Sequence, residues 1–183
     1  MKNFPFIHEG KELWYSRSLA CSIVVLRDNP MRGPEVLVCK RGKGVEFNKG
    51  KMNIPGGFID FDENAKQAAL RELFEETGVK IPEEQAMFLS LDTEPKGGRQ
   101  TMVALHFALV DYETSRGWKL TNENSEPDEV DEILWVPLKN LKNFKWTGGQ
   151  IENITKTANH VGWFFSEKYK DWFRDTSKYK QVY

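Results

Sequence analysis

Three glutamates, Glu72, Glu75 and Glu76, are spaced so that an α-helix would bring their carboxylates onto one face. Like charges at this spacing destabilise a helix by roughly 0.2–0.5 kcal/mol per pair, and no lysine is interleaved on that face. A cation held between the carboxylates would offset the repulsion, and proteins hold Mg²⁺ with carboxylates together with substrate phosphates. The spacing therefore predicts a divalent metal site. The alternative is a helix with an acidic outer face.

The residues around these glutamates predict the helix that must position them. Asp62 is the expected N-cap of a helix from about 63 to 77, and Gly78 is the expected left-handed residue at its end. The opposite face of this helix, which would dock on the core, carries Leu70, Leu73, Phe74 and Thr77. The carboxylates would then look outward or into a cleft.

Glycine, glutamate and arginine occur at fixed spacings around the same helix. Gly57 is followed after five residues by Glu63, and seven further residues lead to the run Arg71-Glu72-Leu73-Phe74-Glu75-Glu76-Thr77-Gly78-Val79. This run matches the Nudix box, G-x5-E-x7-R-E-U-x-E-E-x-G-U with U apolar, at every fixed position. The chain therefore resembles the Nudix hydrolases.

The resemblance implies a hydrolase that cleaves a diphosphate linked to a nucleoside and uses Mg²⁺ or Mn²⁺. The family's metal-binding and catalytic carboxylates correspond to Glu72, Glu75 and Glu76. Arg71 corresponds to the residue that orients them, Glu63 to a supporting acidic position in the metal network, and Gly57 to a loop glycine whose carbonyl oxygen approaches the metal. The implied fold is an α/β (α+β) sandwich, with a mixed sheet between helices.

A further acidic residue outside the box is expected to activate or position the attacking water. Glu129 is the predicted general base, because the family's pattern ahead of a tryptophan, here Trp135, places an acid at this position. Most acids in such a stretch are solvated loop residues. The alternatives for the base are Glu94, Glu126, Asp128, Asp131 and Glu132.

Substrate-binding residues are predicted in two loops. Arg41 and Lys51 lie in a glycine- and lysine-rich loop that would contact phosphate oxygens. Arg99 lies in the loop from Pro95 to Gln100, whose Pro and Gly-Gly resemble the corresponding loop of ADP-ribose pyrophosphatases with an offset of one residue. Each loop could instead be a solvated turn.

These loops favour ADP-ribose, or a similar nucleoside diphosphate linked to a second group, as the substrate. The alternatives are hydrolysis of a nucleoside triphosphate or an RNA cap, and a non-catalytic nucleotide sensor that reuses the fold. Lys and Arg number 26 and Asp and Glu number 27, which gives a net charge of −1. This balance argues against a broad nucleic-acid surface.

The 183 residues predict a single domain, with an N-terminal extension to about residue 16 and a C-terminal helical segment from about 148 to 183. Apolar and β-branched runs predict strands at about 19–26, 35–40, 52–54, 86–91, 101–110 and 133–137. With the helix of the box, this order indicates a sheet sandwiched by helices.

The two cysteines, Cys21 and Cys39, lie in apolar strand-like runs and are expected to be buried free thiols in a reducing compartment. The first twenty residues are too charged for a signal peptide, and no apolar run approaches membrane-spanning length. The predicted location is therefore the cytoplasm. Aromatic residues between Trp163 and Phe173 are expected either to dock the C-terminal helix or to form the contact of a homodimer.

Overall fold

The computed structural model, which describes residues 3–95 and 101–162, contains a six-stranded mixed sheet with a helix on each face. The strands are β3 (Leu19–Asn29), β4 (Gly33–Arg41), β5 (Met52–Asn53), β6 (Met87–Asp92), β7 (Met102–Leu109) and β8 (Val130–Pro137). They follow the order β5-β4-β3-β7-β6, and β8 also pairs with β4. β3 and β7 are parallel, and the other pairs are antiparallel. The predicted sandwich with a mixed sheet is confirmed.

Two hydrophobic clusters fill the spaces between the sheet and the helices. α1 (Ala65–Thr77) covers one face and α3 (Gln150–Val161) covers the other. Successive side chains of a strand point to opposite faces. Val25 of β3 therefore belongs to the cluster under α1, whereas Val24 belongs to the cluster under α3.

The helix of the box begins two residues later than predicted, because Asn64 and not Asp62 is its N-cap. Asn64 Oδ1 accepts hydrogen bonds from the amides of Lys66 and Gln67 at 3.0 and 3.1 Å. The Gln67 side chain accepts in return from the Asn64 amide at 3.0 Å, which completes a capping box. Gly78 ends the helix with a left-handed backbone (φ 72°), as predicted.

The face of α1 that docks on the sheet is rotated relative to the predicted face. Leu73 and Thr77 are buried as expected, but Leu70 and Phe74 are only partly buried. The helix lies instead on Ala68, Ala69, Leu73, Glu76 and Thr77. Because the alanines are small, they allow close approach to the sheet, and this draws one carboxylate of the acidic face into the interior.

An N-terminal hairpin and a one-turn helix were not predicted from the sequence. β1 (Phe4–His8) and β2 (Lys11–Tyr15) form an antiparallel hairpin whose residues are exposed along both strands. A one-turn helix, α2 (Tyr112–Ser115), follows β7 and is capped by Asp111. The hairpin lacks the apolar/polar alternation of a half-buried strand, and this is why the pattern of residues does not reveal it.

Other expectations are met within the described residues. Cys21 and Cys39 are free and buried. None of the helices described for residues 3–95 and 101–162 is both long enough and apolar enough to span a membrane. α3 lies within the predicted C-terminal helical segment, while the aromatic residues from Trp163 onward and the loop residue Arg99 lie outside the described residues.

Candidate active site

Arg71 forms hydrogen bonds with three carboxylates of the box. Its Nη1 donates to Glu72 Oε1 at 2.8 Å and to Glu75 Oε2 at 2.9 Å. Its Nη2 donates to Glu63 Oε1 at 2.7 Å and to the Phe58 carbonyl oxygen at 3.0 Å. The repulsion inferred from the spacing of the glutamates is therefore offset by a guanidinium of the same helix, which the absence of lysine on that face did not reveal.

The carboxylates around Arg71 have pKa values that are shifted in different directions. Hydrogen bonds from Arg71 hold the pKa of Glu63 below its ordinary value. Burial raises the pKa of Glu72, although Arg71 opposes that shift. The pKa of Arg71 itself is raised, first by its hydrogen bonds to Glu63. Glu63 is therefore the carboxylate that this guanidinium neutralises most directly.

Glu76 is the most deeply buried carboxylate of the box, with an exposed fraction of 3%. Burial raises its pKa well above the ordinary value, and the charges of Glu72 and Glu129 raise it further. Its Oε2 atom is buried and has no hydrogen-bond partner among the described residues. A buried acceptor without a donor is costly, and a bound cation would satisfy it.

Gly57 approaches the Glu72 carboxylate closely. A Cβ atom at this position would overlap the carboxylate, so a larger residue would displace the Glu72 side chain. The Gly57 carbonyl oxygen accepts a hydrogen bond from the Cys21 amide at 2.8 Å, which ties the loop to β3. The structure thus accounts for the glycine by packing, and its predicted contact with a metal stays a prediction.

The turn that carries Glu129 is held beside the box by the glycine-rich loop. The Gly42 amide donates to the Glu129 carbonyl oxygen at 2.6 Å, and the Gly44 amide donates to the Asp128 carbonyl oxygen at 2.8 Å. Both amides of the glycine-rich loop therefore fix the backbone of the turn. As a result, Glu129 lies near Glu76 although it is 53 positions later in the chain, and its negative charge raises the pKa of Glu76.

The other candidates for the general base have different surroundings. Asp131 and Glu132 form ion pairs with Lys40 at 2.7 and 3.5 Å. Asp128 lies 3.7 Å from the Lys43 ammonium. The remaining alternatives are exposed loop residues, Glu94 and Glu126. Glu129 is the one whose charge acts on both Glu72 and Glu76.

A cleft of about 440 Å³ lies beside this turn and is lined mainly by basic side chains. Arg41 lines it together with Lys40, Lys43 and Lys49, while Asp128 and Asp131 also contribute to the wall. The contact of Arg41 with substrate phosphates stays a prediction. Lys51 is directed elsewhere, since its ammonium donates to Asn48 Oδ1 at 2.9 Å.

Sequence reasoning missed Asn53, a second buried side chain with an unsatisfied oxygen. Its Oδ1 has no hydrogen-bond partner in the part of the chain that the structure describes. Asn53 pairs with Cys39, whose sulfur lies 3.9 Å from the Glu76 carbonyl oxygen. The signal was present in the sequence, because an amide between Met52 and Ile54 in a buried strand needs a polar partner.

The donor chemistry of this carboxylate cluster, which comprises Glu63, Glu72, Glu75, Glu76 and Glu129, fits a hard divalent cation. Across residues 3–95 and 101–162, however, no three acidic, histidine or cysteine side chains already have the arrangement of a metal-ligand set. Arg71 engages one oxygen each of Glu72 and Glu75. Metal binding would therefore require some rearrangement of the side chains in this cluster.

Comparison with known sequences and structures places the chain among proteins with a common domain. A sequence model described as "NUDIX domain" matches residues 17–156. The structure is similar to the NUDIX domain of Shewanella oneidensis NrtR, solved in complex with ADP ribose, with a TM-score of 0.65 and 20% identity. The match covers 80% of this chain and 90% of that chain, and it shows a shared fold.

Two curated relatives match over shorter stretches. A peroxisomal coenzyme A diphosphatase of Caenorhabditis elegans is 27% identical over 118 residues, which are 63% of this chain and 47% of the relative. An ADP-ribose pyrophosphatase of Methanocaldococcus jannaschii is 32% identical over 87 residues, which are 46% of this chain and 47% of the relative. The chain spans about half the length of these relatives.

Proposed function

The chain belongs to the NUDIX domain family, and from this premise we propose that it is a metal-dependent hydrolase of phosphoric anhydrides. The observation that carries the proposal is the buried Glu76 oxygen without a partner, next to the charges of Glu72 and Glu129. A cation at this position would offset the free-energy cost of the buried negative charge. It would also provide the positive charge that stabilises the phosphate oxygens during diphosphate hydrolysis. The resemblance of the sequence to the Nudix hydrolases and the excess of negative charge around Glu76 both support metal-dependent diphosphate hydrolysis.

In the proposed site Glu72, Glu75 and Glu76 hold Mg²⁺ or Mn²⁺, with Glu63 and the Gly57 carbonyl oxygen in supporting positions. A bound metal would neutralise diphosphate oxygens, polarise phosphorus and hold water for in-line attack. The neighbouring carboxylates would then stay ionised in spite of their burial.

The remaining residues of the site orient groups and move a proton. Arg71 restrains the carboxylates through its hydrogen bonds, so that they are positioned before the substrate arrives. Glu129 accepts the proton of the attacking water, since the glycine-rich loop holds its backbone beside the box. Arg41, with Lys51 and Arg99 as further candidates, contacts the phosphates of the substrate.

We propose as substrate a nucleoside diphosphate linked to a second group, with ADP-ribose as the leading candidate. The M. jannaschii relative is named an ADP-ribose pyrophosphatase, and the NrtR domain was solved with ADP ribose. The C. elegans relative is named a coenzyme A diphosphatase, which makes coenzyme A the second compound to test.

The domain division and the cellular location belong to the same proposal. The family match begins at residue 17, which supports a single catalytic domain after an N-terminal extension to about residue 16. The buried free thiols Cys21 and Cys39 support a reducing compartment such as the cytoplasm. A homodimer through the C-terminal aromatic residues stays a prediction.

The test is incubation with Mg²⁺ and separate samples of ADP-ribose, coenzyme A, a nucleoside triphosphate and capped RNA, followed by identification of the products. Release of AMP from ADP-ribose is expected. Glu76→Gln should lower kcat by at least about 100-fold, as expected when a group that supports the transition state is removed. Glu84→Gln, an exposed residue of a short 3-10 turn, is the matched control and should retain activity.

Three outcomes would contradict parts of this proposal. Full activity of Glu76→Gln would exclude the metal-ligand assignment. Preferential cleavage of the triphosphate or the RNA cap would show that the substrate is not a nucleoside diphosphate linked to a second group. Tight binding of ADP-ribose without turnover would favour the sensor.

A further inference from the structure

A second pocket lies at the end of the sheet opposite the carboxylate cluster. Its volume is about 400 Å³, and its main lining residues are Arg27, Arg32, Arg116, Tyr112, Trp118 and Trp135. Along β3, Arg27 is six residues from Cys21, the residue that binds Gly57, and at 3.3 Å per residue this places the two sites roughly 20 Å apart. We call it the arginine pocket.

The charged side chains that line the arginine pocket are all cationic. Glu35 is fully buried behind them, 2.8 Å from Arg27 and 3.0 Å from Arg32. Glu113 pairs with Arg116 at 2.9 Å on the exposed surface and does not line the pocket. An anion that enters the pocket would therefore face arginines and no carboxylate.

Arg27 is held in place before any ligand arrives. Its guanidinium lies 3.9 Å from the centre of the Trp135 ring and 5.2 Å from the centre of the Tyr112 ring. Glu35 engages Nε and Nη2, while the hydrogen bond of Nη1 among the described residues is a long one, 3.4 Å to Ser115 Oγ. The Nη1 edge is thus rigidly presented and weakly engaged, which suits recognition of an oxyanion.

The pocket also has an aromatic wall. The rings of Trp118 and Trp135 have centroids 6.2 Å apart and are tilted by 33°. Because Arg27 covers a face of Trp135, the half-buried Trp118 is the ring that remains for stacking. The volume falls in the range of pockets that hold small molecules, roughly 300–1,000 Å³.

We propose that the arginine pocket binds a small phosphorylated ligand with a flat ring, of the nucleoside monophosphate class. The phosphate contacts Arg116, Arg32 and the Nη1 edge of Arg27, and the ring lies against Trp118. This site is separate from the carboxylate cluster and does not depend on a metal.

The test is calorimetric titration of the full chain in EDTA, with AMP, inorganic phosphate and adenosine as separate probes. AMP is expected to bind more tightly than inorganic phosphate, which lacks the flat ring, and more tightly than adenosine, which lacks the phosphate. Arg116→Glu should weaken AMP binding by at least about tenfold, as expected for loss of a charge-assisted contact and its replacement by a repulsive one. The Trp118 indole N–H resonance, assigned with Trp118→Phe, should shift on titration.

Two variants serve as matched controls. Lys119→Glu makes the same charge change at an exposed position in the same loop but outside the lining, and it should alter affinity by less than about twofold. Glu76→Gln should leave AMP binding in EDTA unchanged, so the result is independent of the proposed hydrolysis. Equal loss in Arg116→Glu and Lys119→Glu, or no binding of AMP at millimolar concentration, would overturn the proposal.

Discussion

At the scale of single residues, Glu76 and Arg71 account for most of the chemistry of the candidate site. Arg71 neutralises the carboxylates that lie near the surface of the helix, but its hydrogen bonds go to Glu63, Glu72 and Glu75. Glu76 lies on the buried side and faces further negative charge. A bound cation would therefore stabilise ionised Glu76 more than the carboxylates that Arg71 already contacts.

The raised pKa of Glu76 predicts how the stability of the metal-free protein depends on pH. The folded state retains this proton above the ordinary pKa of 4.5, where the unfolded chain has lost it. The contribution of Glu76 is therefore fully present below 4.5 and is lost as pH rises towards the folded value. In EDTA, the free energy of unfolding should fall as pH rises above 4.5, and Glu76→Gln should reduce that fall.

Denaturant titrations at several pH values measure this effect, and Glu84→Gln provides the control. Addition of Mg²⁺ should restore stability to the wild type at neutral pH and have little effect on Glu76→Gln, since a ligand stabilises the state that binds it. An identical pH dependence in the wild type and in Glu76→Gln would show that Glu76 is not the group responsible.

At the scale of elements, the glycine-rich loop and the turn before β8 act as one unit. Gly42 and Gly44 lie so close to this turn that a Cβ atom on either would overlap its backbone. Asp128 in the turn has a positive φ of 60°, which is uncommon for a residue other than glycine. The close packing of two loops places Glu129 more firmly than either loop alone could.

Gly42→Ala tests this coupling between the loops. The added methyl group would displace the backbone at Asp128, so the Glu129 carboxylate should move and kcat should fall, whereas Mg²⁺ affinity should change little. The overlap is expected to cost about 1–3 kcal/mol of stability, as insertion of a methyl group into packed structure does. Kinetics and calorimetric metal titration separate the two effects.

Gly148→Ala is the matched control for Gly42→Ala, because no atom lies within 4 Å of a Cβ at Gly148. A parallel loss of Mg²⁺ affinity and kcat in Gly42→Ala would indicate that the loop supports the metal ligands and not the base.

At the scale of the whole molecule, two fully or nearly buried carboxylates lie at opposite ends of the sheet in opposite electrostatic settings. Glu35 is surrounded by Arg27, Arg32 and the Asn29 side chain. Glu76 has an Oε2 atom without a hydrogen-bond partner in residues 3–95 and 101–162, and its neighbours Glu72 and Glu129 are negatively charged. Removal of each carboxylate should therefore change the stability of the metal-free protein in opposite directions.

Glu35→Gln is expected to destabilise the protein by about 3–5 kcal/mol, because it leaves the buried Arg27 without its counter-charge. Glu113→Gln removes the exposed partner of Arg116 and should cost less than about 1 kcal/mol. Unfolding in urea, monitored by tryptophan fluorescence, measures both. A cost for Glu35→Gln as small as that for Glu113→Gln would mean that the buried pair contributes little.

Prediction from the sequence succeeded where the signal is local and failed where it depends on contacts between distant segments. The helix of the box and its left-handed end at Gly78 follow from short-range spacing and backbone preference. The start of the helix was misplaced by two residues because Asp62 and Asn64 are both good caps, and only the reciprocal bond with Gln67 decides between them. The exposed hairpin β1-β2 carries no burial pattern that the sequence could reveal.

The sequence by itself determined which residues share the acidic face of α1, because helical periodicity is a property of the local backbone. It therefore determined the three glutamates and the arginine between them. Only the tertiary structure decided that Glu76 is buried with one oxygen unsatisfied among the described residues, that Glu129 lies near it, and that arginines from β3 and the α2 region meet at the far end of the sheet. These features depend on which distant strands pair and on how closely α1 packs against the sheet. This packing determines how deeply each charged group is buried, and burial determines its pKa and the strength of its electrostatic interactions.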